Sequence, residues 1–297
     1  MRVLIMGVTG QVGAALAPLF KDFAEVVPAP RAVLDLSDAA SIPARLDALA
    51  PELIVNPAAY TAVDNAETDR DVAFAINAAA PGVIAAWAAG HRVPLIHFST
   101  DYVFDGSGNR PWREDDATGP LNVYGESKLA GEHAVRHSGA SALIVRTSWV
   151  YSAGGKNFLR TMVNLMREKP ELRIVDDQTG APTSAHQIAS AVAAIVHSHV
   201  DDLPRAFAAS KGAVHLVASG ITTWHGFAEA ILTGLQERGM PAATCSIARV
   251  ASKDYPVKAQ RPLNSRLDLS RLRDVFGIVP EPWETALARE LDLIAAK

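Results

Sequence analysis

The chain lacks the residues on which disulfide-built and many metal-built proteins depend. It has 297 residues but a single cysteine, Cys245, so it cannot form an internal disulfide or a thiolate metal cluster. Its nine histidines show no metal-ligand spacing, and we interpret His186 and His215 as structural or exposed. We interpret Cys245 as a small buried hydrophobic residue and expect the protein in a reducing compartment.

The chain also lacks an excess of basic charge. Its formal net charge is −4, which argues against a basic stripe for nucleic acid or a polybasic surface for membranes. The segment from Met1 to Met6 carries one arginine and a short apolar run that ends at Gly7, too short for a signal peptide or a spanning helix. We therefore expect a cytoplasmic protein with no nucleic-acid and no membrane partner.

What the sequence does contain is an alternation of buried strands and helices. Short continuous apolar runs predict strands, and alanine-rich stretches between them have helical character. Such alternation predicts an α/β fold, a doubly wound Rossmann-type parallel sheet whose ligands lie beyond the carboxyl ends of the strands. The predicted strands are 3–6, 53–55, 94–98 and 142–145, and the predicted helices are 11–20, 72–89 and 127–137.

The pattern loosens after about residue 150. Helices are predicted at 158–167, 185–197 and 224–236, with strands at 173–175 and 214–217. We interpret residues 1–150 as a cofactor-binding Rossmann domain and residues 151–297 mainly as a smaller C-terminal substrate-binding lobe. Elements near 173–198 are expected to rejoin the first domain.

A glycine-bearing turn, Gly7-Val8-Thr9-Gly10-Gln11-Val12-Gly13, separates the first strand from the first helix. Glycines there allow a tight turn and close approach of a pyrophosphate to the unpaired N–H groups of a helix N-terminus. The Gly-x-x-Gly-x-x-Gly spacing differs from the usual dinucleotide fingerprint. A turn without a ligand is the alternative, and we favour cofactor binding because the turn follows a buried strand.

The segment after the second strand carries Arg31 where NAD sites place an acid. An arginine there suits the 2′-phosphate of NADPH, although Arg31 as a solvated loop residue and NADH as the cofactor stay open. Asp35, in Leu34-Asp35-Leu36, is the candidate for the adenine end. Small residues after the third strand, in Ala58-Ala59-Tyr60-Thr61, favour either a plain turn or a backbone against which a cofactor lies.

Tyr124 and Lys128 lie four residues apart and therefore share one face of a helix. A nearby ammonium favours a phenolate, so we expect Lys128 to lower the pKa of Tyr124. A tyrosine with a lowered pKa can transfer its proton to a carbonyl oxygen of a substrate. Thr100, at the end of an apolar strand, offers a second hydrogen bond to that carbonyl oxygen. The spacing alone is weak evidence, because it occurs by chance on solvated helix faces.

Taken together, these segments resemble the extended short-chain dehydrogenase/reductase family over nearly the whole chain. Within that family they look like the members that reduce a dTDP-linked deoxysugar. The matching segments are 7–13, 56–67 (NPAAYTAVDNAE), 99–106 (STDYVFDG), 120–132 (PLNVYGESKLAGE), 146–151 (RTSWVY), 177–183 (DQTGAPT) and 261–267 (RPLNSRL).

The resemblance implies NADPH-dependent reduction of the C4 keto group of dTDP-4-dehydro-L-rhamnose to dTDP-L-rhamnose, a step of cell-surface polysaccharide biosynthesis. It implies that Tyr124 donates the proton and that Lys128 binds the nicotinamide ribose. Thr100 and Asp101 would lie at the sugar, and Trp149 would touch the sugar nucleotide. The pyrophosphate would meet Gly10, Gln11 and Val12, and the cofactor would continue along Ala59, Tyr60 and Thr61.

The sequence departs from the family's pattern at two places. Some members bridge a homodimer with Mg²⁺ through glutamates, one of them at the start of the first helix, where this chain has Ala14-Ala15. We therefore expect no bound metal, and a homodimer would have to form without that bridge. Pro57 replaces a small residue such as alanine, and we expect it to be tolerated.

Three alternatives stay open at this point. A sugar-nucleotide dehydratase needs an added acid and base and typically has glutamate after Thr-Asp, where this chain has Tyr102. A 4-epimerase shares the Tyr/Lys chemistry but holds NAD through the acid that is absent after the second strand. A non-catalytic regulatory subunit, similar to that of methionine adenosyltransferase, would retain the same residues without turnover.

Overall fold

The structure is a computed structural model that describes residues 1–243 and 246–296. Cys245 lies outside the described residues, so its interpretation as a buried hydrophobic residue stays a prediction. Two lobes face each other across a cleft, and the larger lobe contains the central sheet.

The central sheet has six parallel strands, as the alternating pattern predicts, in the order β2-β1-β3-β4-β5-β10. Its inner strands are apolar and almost completely buried, because helices cover both faces. The predicted doubly wound parallel sheet is thereby confirmed. The strands are β1 Arg2–Met6, β2 Glu25–Ala29, β3 Leu53–Asn56, β4 Leu95–Thr100, β5 Ala142–Thr147 and β10 Ala213–His215.

The helices of this lobe form a layer on each face of the sheet. Leu16 and Phe20 of α1 pack with Ile188 and Val192 of α8 in one apolar cluster. On the other face, α2 and α5 pack in a second cluster. The helices are α1 Gln11–Phe20, α2 Ile42–Leu49, α3 Val63–Ala66, α4 Arg70–Phe74, α5 Ala80–His91, α6 Val123–His137, α8 Ala185–Ser198, α9 Leu203–Ala209 and α11 Ser270–Phe276, with a π-helical segment Ala75–Ala79 joining α4 to α5.

The smaller lobe has its own apolar cluster, in which α7, α10 and α12 pack around Phe227 and Trp283. Its strands are short pairs outside the central sheet: β6 with β9, β7 with β12 and β8 with β11. The elements are β6 Val150–Tyr151, α7 Phe158–Glu168, β7 Glu171–Val175, β8 Thr179–Gly180, β9 Thr183–Ser184, β11 Thr222–Thr223, α10 Trp224–Glu237, β12 Ser246–Val250 and α12 Trp283–Ala295.

The chain crosses between the lobes more than once after residue 150. Helix α8 covers α1, and β10 extends the central sheet beside β5. By contrast, the predicted strand 173–175 lies in β7, which pairs with β12 in the smaller lobe rather than with the central sheet. The predicted division at residue 150 stays a prediction, with contributions to the larger lobe from residues far beyond it.

The continuous helical stretch Arg70–His91 is long and apolar enough to cross a membrane by length and composition alone. In the structure, Ile84, Ala85 and Ala88 of this stretch are buried against the central sheet and α2. The core helices of globular proteins pass the same test of length and composition, and these contacts are those of a core helix.

Candidate active site

A cleft of about 1150 Å³ opens at the carboxyl ends of the central strands, between the two lobes. The residues that follow β1, β3, β4 and β5 all line it. Strand β1 lies between β2 and β3, so the chain order reverses there, and open α/β sheets bind ligands at such a point. The predicted position of the site is the position of the cleft.

The glycine turn forms the floor of one half of the cleft. Gly7 has φ +58°, and a Cβ added at Gly13 would lie only 2.3 Å from the Gly7 carbonyl oxygen, so the helix can approach the turn only without a side chain there. Helix α1 begins after Gly10 with no side-chain cap and no acidic residue in its first turn. Its first N–H groups therefore present an anion-binding site to the cleft.

The loop after β3 is held against the cleft by a residue that the sequence analysis missed. Asn77, buried in the π-helical segment, accepts a hydrogen bond from Tyr60 N (2.9 Å) and donates to Tyr60 O (3.0 Å). It also donates to the Ser127 hydroxyl on α6 at 3.0 Å. Ala58, Ala59 and Thr61 consequently line the cleft.

Thr100 and Asp101 end the central strand β4 at the middle of the cleft. The Thr100 hydroxyl donates to Asp101 Oδ1 (3.0 Å) and accepts a hydrogen bond from Tyr102 N (3.2 Å). Asp101 is only 3% exposed, and among the described residues its Oδ2 has no hydrogen-bond partner. Burial raises the pKa of Asp101 to about 7, and the hydrogen bond from the Thr100 hydroxyl offsets part of that rise.

Helix α6 brings Tyr124 and Lys128 to the same place. Asn122 caps the helix by accepting a hydrogen bond from Gly125 N at 2.8 Å. A Cβ at Gly125 would lie 2.3 Å from the Tyr102 carbonyl oxygen, so glycine lets the helix close onto the end of β4. Tyr124 and Lys128 both line the cleft, together with Thr100, as the sequence predicts.

The pKa of Tyr124 moves in the direction opposite to the one predicted. Burial raises the pKa of Tyr124 to about 12, the Thr100 hydroxyl lowers it and the Asp101 charge raises it further. The Lys128 ammonium instead donates to the Phe98 carbonyl oxygen at 2.7 Å. Burial lowers the pKa of Lys128 to about 8, offset in part by Glu132. Loss of hydration dominates the shift in the pKa of Tyr124, and the Lys128 charge, bonded to the Phe98 carbonyl, contributes nothing appreciable to it.

A buried ion pair supports this helix from behind. Arg146 on β5 donates to both carboxylate oxygens of Glu132, at 2.8 Å and 2.6 Å, one turn of α6 beyond Lys128. Both side chains are almost fully buried, so breaking the pair would leave an uncompensated charge. Both residues lie within segments that resemble the family, and neither was predicted to have a role.

An aromatic wall closes the other half of the cleft. Trp149 stacks on Trp224 with ring centroids 3.8 Å apart, and Phe158 packs on Trp224 at 4.6 Å. Trp149 has φ +48°, an uncommon conformation for a residue other than glycine. A Cβ at Gly180 would lie 2.8 Å from the Trp149 ring, so Gly180 makes room for that indole. The sequence predicts Trp149 at the site but misses Trp224.

Further polar and charged residues line the cleft, and none of them was predicted to have a role at the site. Arg261 pairs with both carboxylate oxygens of Asp64, at 3.0 Å and 2.7 Å. Glu290 of α12 accepts a hydrogen bond from Ala153 N at 2.6 Å, and burial raises its pKa. Lys156 of the smaller lobe and His186 at the start of α8 also line the cleft, a position that the interpretation of His186 as structural or exposed did not predict.

Four predicted cofactor residues are not among those that line the cleft. Arg31 donates to Asp35 Oδ2 at 3.1 Å beyond the end of β2, and hydrogen bonds from Ser37, more than Arg31, hold the pKa of Asp35 below its usual value. Leu36 is buried in the core. The Tyr60 hydroxyl donates to Asp69 Oδ2 at 2.8 Å and so points to the solvent side of the loop. Their contact with a cofactor stays a prediction.

The start of α1 lacks the glutamate that the family resemblance associates with a magnesium bridge. Helix α1 presents Ala14 and Ala15 to the cleft, and Glu290 is the carboxylate nearby, already bonded to Ala153 N. Across residues 1–243 and 246–296, no group of three or more His, Cys, Asp or Glu side chains is arranged to hold a metal ion. Hard divalent cations prefer several oxygen ligands, which this corner does not supply.

The anion-binding glycine turn, the Tyr124–Lys128 pair and Thr100 around one cleft define a nucleotide-binding α/β protein of the short-chain dehydrogenase/reductase type. More narrowly, the chain belongs to the family described as RmlD substrate binding domain, whose model matches residues 1–295. The resemblance predicted from the sequence is confirmed.

Named relatives and solved structures extend the comparison over the whole chain. The chain is 41% identical to a dTDP-4-dehydrorhamnose reductase of Escherichia coli K12, over 98% of this chain and 97% of the relative. A crystal structure of a dTDP-4-dehydrorhamnose reductase from Clostridium acetobutylicum has a TM-score of 0.90 at 32% identity, covering 99% of both chains. A Bacillus anthracis dTDP-4-dehydrorhamnose reductase in complex with NADP has a TM-score of 0.88 at 30% identity, covering 98% and 99%.

Proposed function

We propose that the protein reduces the C4 keto group of dTDP-4-dehydro-L-rhamnose to dTDP-L-rhamnose with NADPH. The names of its relatives and the NADP bound in one of them support the substrate and the cofactor. The observation that carries the proposal is the convergence of Thr100, Tyr124 and Lys128 on the cleft that the glycine turn also lines.

The cofactor, when bound, supplies the hydride that reaches C4 of the sugar. Tyr124 donates its phenolic proton to the C4 oxygen, so that the ketone becomes an alcohol and the tyrosine a phenolate. A pKa of about 12 keeps the phenol protonated at neutral pH, which is the form a proton donor needs. Thr100 lies beside the same oxygen and aligns it.

Lys128 acts on the phenolate that the proton transfer leaves behind. Its ammonium lies on the carbonyl of Phe98, at the end of the strand that carries Thr100. With a pKa of about 8 it is mostly cationic at neutral pH, and a cation favours the phenolate only once that charge exists. This supports a role for Lys128 in lowering the barrier rather than in setting the resting pKa of Tyr124.

Reduction suits the site better than elimination does. Elimination of water needs an acid and a base besides the hydride chemistry, and in the described part of the chain there is one carboxyl group beside Thr100 at the end of β4, that of Asp101. Tyr102 occupies the position after Asp101, and burial raises the pKa of its phenol, so it is not a base at neutral pH. A dehydratase is therefore the weaker candidate.

The residues that follow β2 support a preference for NADPH. This strand ends at Ala29 and is followed by Pro30 and Arg31, with no acid to hold a ribose 2′-hydroxyl. Arg31 is 77% exposed and exchanges its Asp35 partner easily, because a surface pair contributes little. A cytoplasmic location and a homodimer stay predictions.

The proposal is tested with purified protein and dTDP-4-dehydro-L-rhamnose, following NADPH oxidation and identifying the sugar product. Tyr124→Phe should bind NADPH as the wild type does but lose about 10²–10⁴-fold in kcat, the usual contribution of general acid catalysis. Tyr255→Phe, an exposed tyrosine outside the cleft, is the matched control.

Two outcomes would contradict the proposal. A well-folded wild type that binds NADPH yet shows no turnover, but forms a stable complex with a synthetase, would favour the regulatory-subunit alternative. A Tyr124→Phe variant that loses less than about tenfold in kcat would assign the proton to another donor.

A further inference from the structure

The loop Ser152–Asn157 crosses the cleft from the smaller lobe and is fastened to the first turn of α1. Gln11 Oε1 accepts hydrogen bonds from the Ser152 hydroxyl (2.9 Å) and from Asn157 Nδ2 (2.8 Å). The position of a Cβ on Gly155 lies 3.7 Å from Gln11 Cγ. The two ends of this loop are thus bonded to the first turn of α1, and its tip lies beside the helix N-terminus that offers its N–H groups to an anion.

The other side of the loop is anchored to the C-terminal helix. Glu290 of α12 accepts a hydrogen bond from Ala153 N at 2.6 Å and is only 4% exposed. The Asn157 amide nitrogen also lies within hydrogen-bond distance of Ser152 O and Gly154 O, both at 2.9 Å, so that its two protons are shared among three acceptors. A loop fixed at both ends holds its tip residues, Gly155 and Lys156, at a defined place over the cleft.

Lys156 differs from the other cations of the cleft in having no partner. Lys128 donates to the Phe98 carbonyl, and Arg261 is engaged by both carboxylate oxygens of Asp64. The Lys156 side chain is exposed and lines the cleft, and within residues 1–243 and 246–296 it makes no ion pair and no hydrogen bond. Of Lys128, Lys156 and Arg261, Lys156 is therefore the one available to bind an anionic ligand.

We propose that Lys156 binds the pyrophosphate of the dinucleotide from the smaller lobe, opposite the N–H groups of α1, with Gln11 positioning the loop that carries it. The proposal rests on the function proposed above. A pyrophosphate at the helix N-terminus carries two negative charges, while the first turn of α1 offers only N–H dipoles and no cationic side chain. A flexible ammonium at the adjacent loop tip complements that charge.

The test is equilibrium binding of NADPH to the full chain without sugar nucleotide, followed by fluorescence titration. Lys156→Ala should raise the Kd about fivefold, the scale of one partly exposed charge pair, and Lys156→Arg should restore binding. The matched control is Lys169→Ala, which removes an exposed lysine at the opposite end of α7. The difference in the Kd for NADPH between the wild type and Lys156→Ala should shrink as NaCl is raised from low to high concentration, because salt screens exposed charges.

A fragment of the cofactor locates the contact. Adenosine 2′-monophosphate has no pyrophosphate, so its Kd should be the same for the wild type and Lys156→Ala. Ser152→Ala, which removes one of the two hydrogen bonds to Gln11, should weaken NADPH binding less in the Lys156→Ala background than in the wild type, because both changes act on one contact.

The outcomes separate this inference from the proposed function. If the wild type binds no NADPH, the proposed function fails and this inference fails with it. If the wild type binds NADPH but Lys156→Ala binds it equally well, only the inference is overturned. A change confined to the KM of the sugar nucleotide also overturns it, because Lys156 would then serve the diphosphate of the substrate.

Discussion

Replacing Asp101 by asparagine should stabilise the protein at alkaline pH far more than at acidic pH. Asp101 is buried, and its Oδ2 has no hydrogen-bond partner among the described residues. Asparagine keeps a carbonyl oxygen for the Thr100 hydroxyl and removes the carboxylate that burial disfavours. The change therefore isolates the cost of ionising this one group inside the fold.

The size of the effect follows from the pKa of Asp101, which burial raises from 3.8 to about 7. A raised pKa means that the folded state holds the proton more tightly, so ionisation costs stability as the pH rises from about 4 to about 7. Between pH 5 and pH 8 the ionisation of Asp101 lowers the unfolding free energy of the wild type by about 3 kcal/mol. Nearly all of this loss falls between pH 5 and pH 7, where the carboxyl group is ionised in the unfolded state but still protonated in the folded state, and each pH unit there contributes about 1.4 kcal/mol.

The assay is urea unfolding of the wild type and Asp101→Asn at pH 5 and pH 8. Other groups titrate equally in both proteins, so the difference in unfolding free energy should grow by about 3 kcal/mol between the two pH values, in favour of the variant. Asp22→Asn, at an exposed turn, is the control for removing one negative charge. A difference that is the same at both pH values, or that narrows toward pH 8, would refute the reasoning.

Two further predictions concern ligand binding. Arg31→Ala should raise the Kd for NADPH about fivefold and leave that for NADH unchanged, measured by fluorescence titration; equal effects on both cofactors would remove Arg31 from the 2′-phosphate. Gly180→Ala places a Cβ 2.8 Å from the Trp149 ring and should lower the unfolding free energy by about 1–3 kcal/mol. It should also raise the KM for the sugar nucleotide and leave the Kd for NADPH unchanged. The control is Gly90→Ala, where a Cβ meets nothing within 4 Å, and a Gly180→Ala variant with wild-type stability and KM would contradict the packing argument.

The parts of the site that the sequence predicts are those determined by local rules. The turn Gly7 to Gly13 directly follows a buried strand and precedes an apolar helix. This order alone places the turn at the carboxyl end of the strand, independently of the rest of the chain. Helical spacing brings Tyr124 and Lys128 to one face, and Thr100 ends a fully buried strand. These residues were predicted, and all of them except Val8 line the cleft.

The residues that the sequence analysis missed approach the cleft only through long-range packing. Trp224 and Glu290 lie on helices of the smaller lobe, and their direction is set by stacking on Trp149 and by the bond to Ala153 N. The shift in the pKa of Tyr124 was predicted with the wrong sign for a related reason. Spacing along a helix carries no information on burial or on where the Lys128 ammonium points.

The late return of the chain to the central sheet has a consequence for synthesis and folding. When the ribosome has released only the first 150 residues, β5 has an open edge because β10 lies at Ala213–His215, and the apolar face of α1 is bare because α8 begins at Ala185. An open strand edge and an exposed apolar helix face are the features that drive aggregation of nascent chains. The central sheet and the helix layer over α1 therefore cannot be completed until the residues up to His215 have been synthesised.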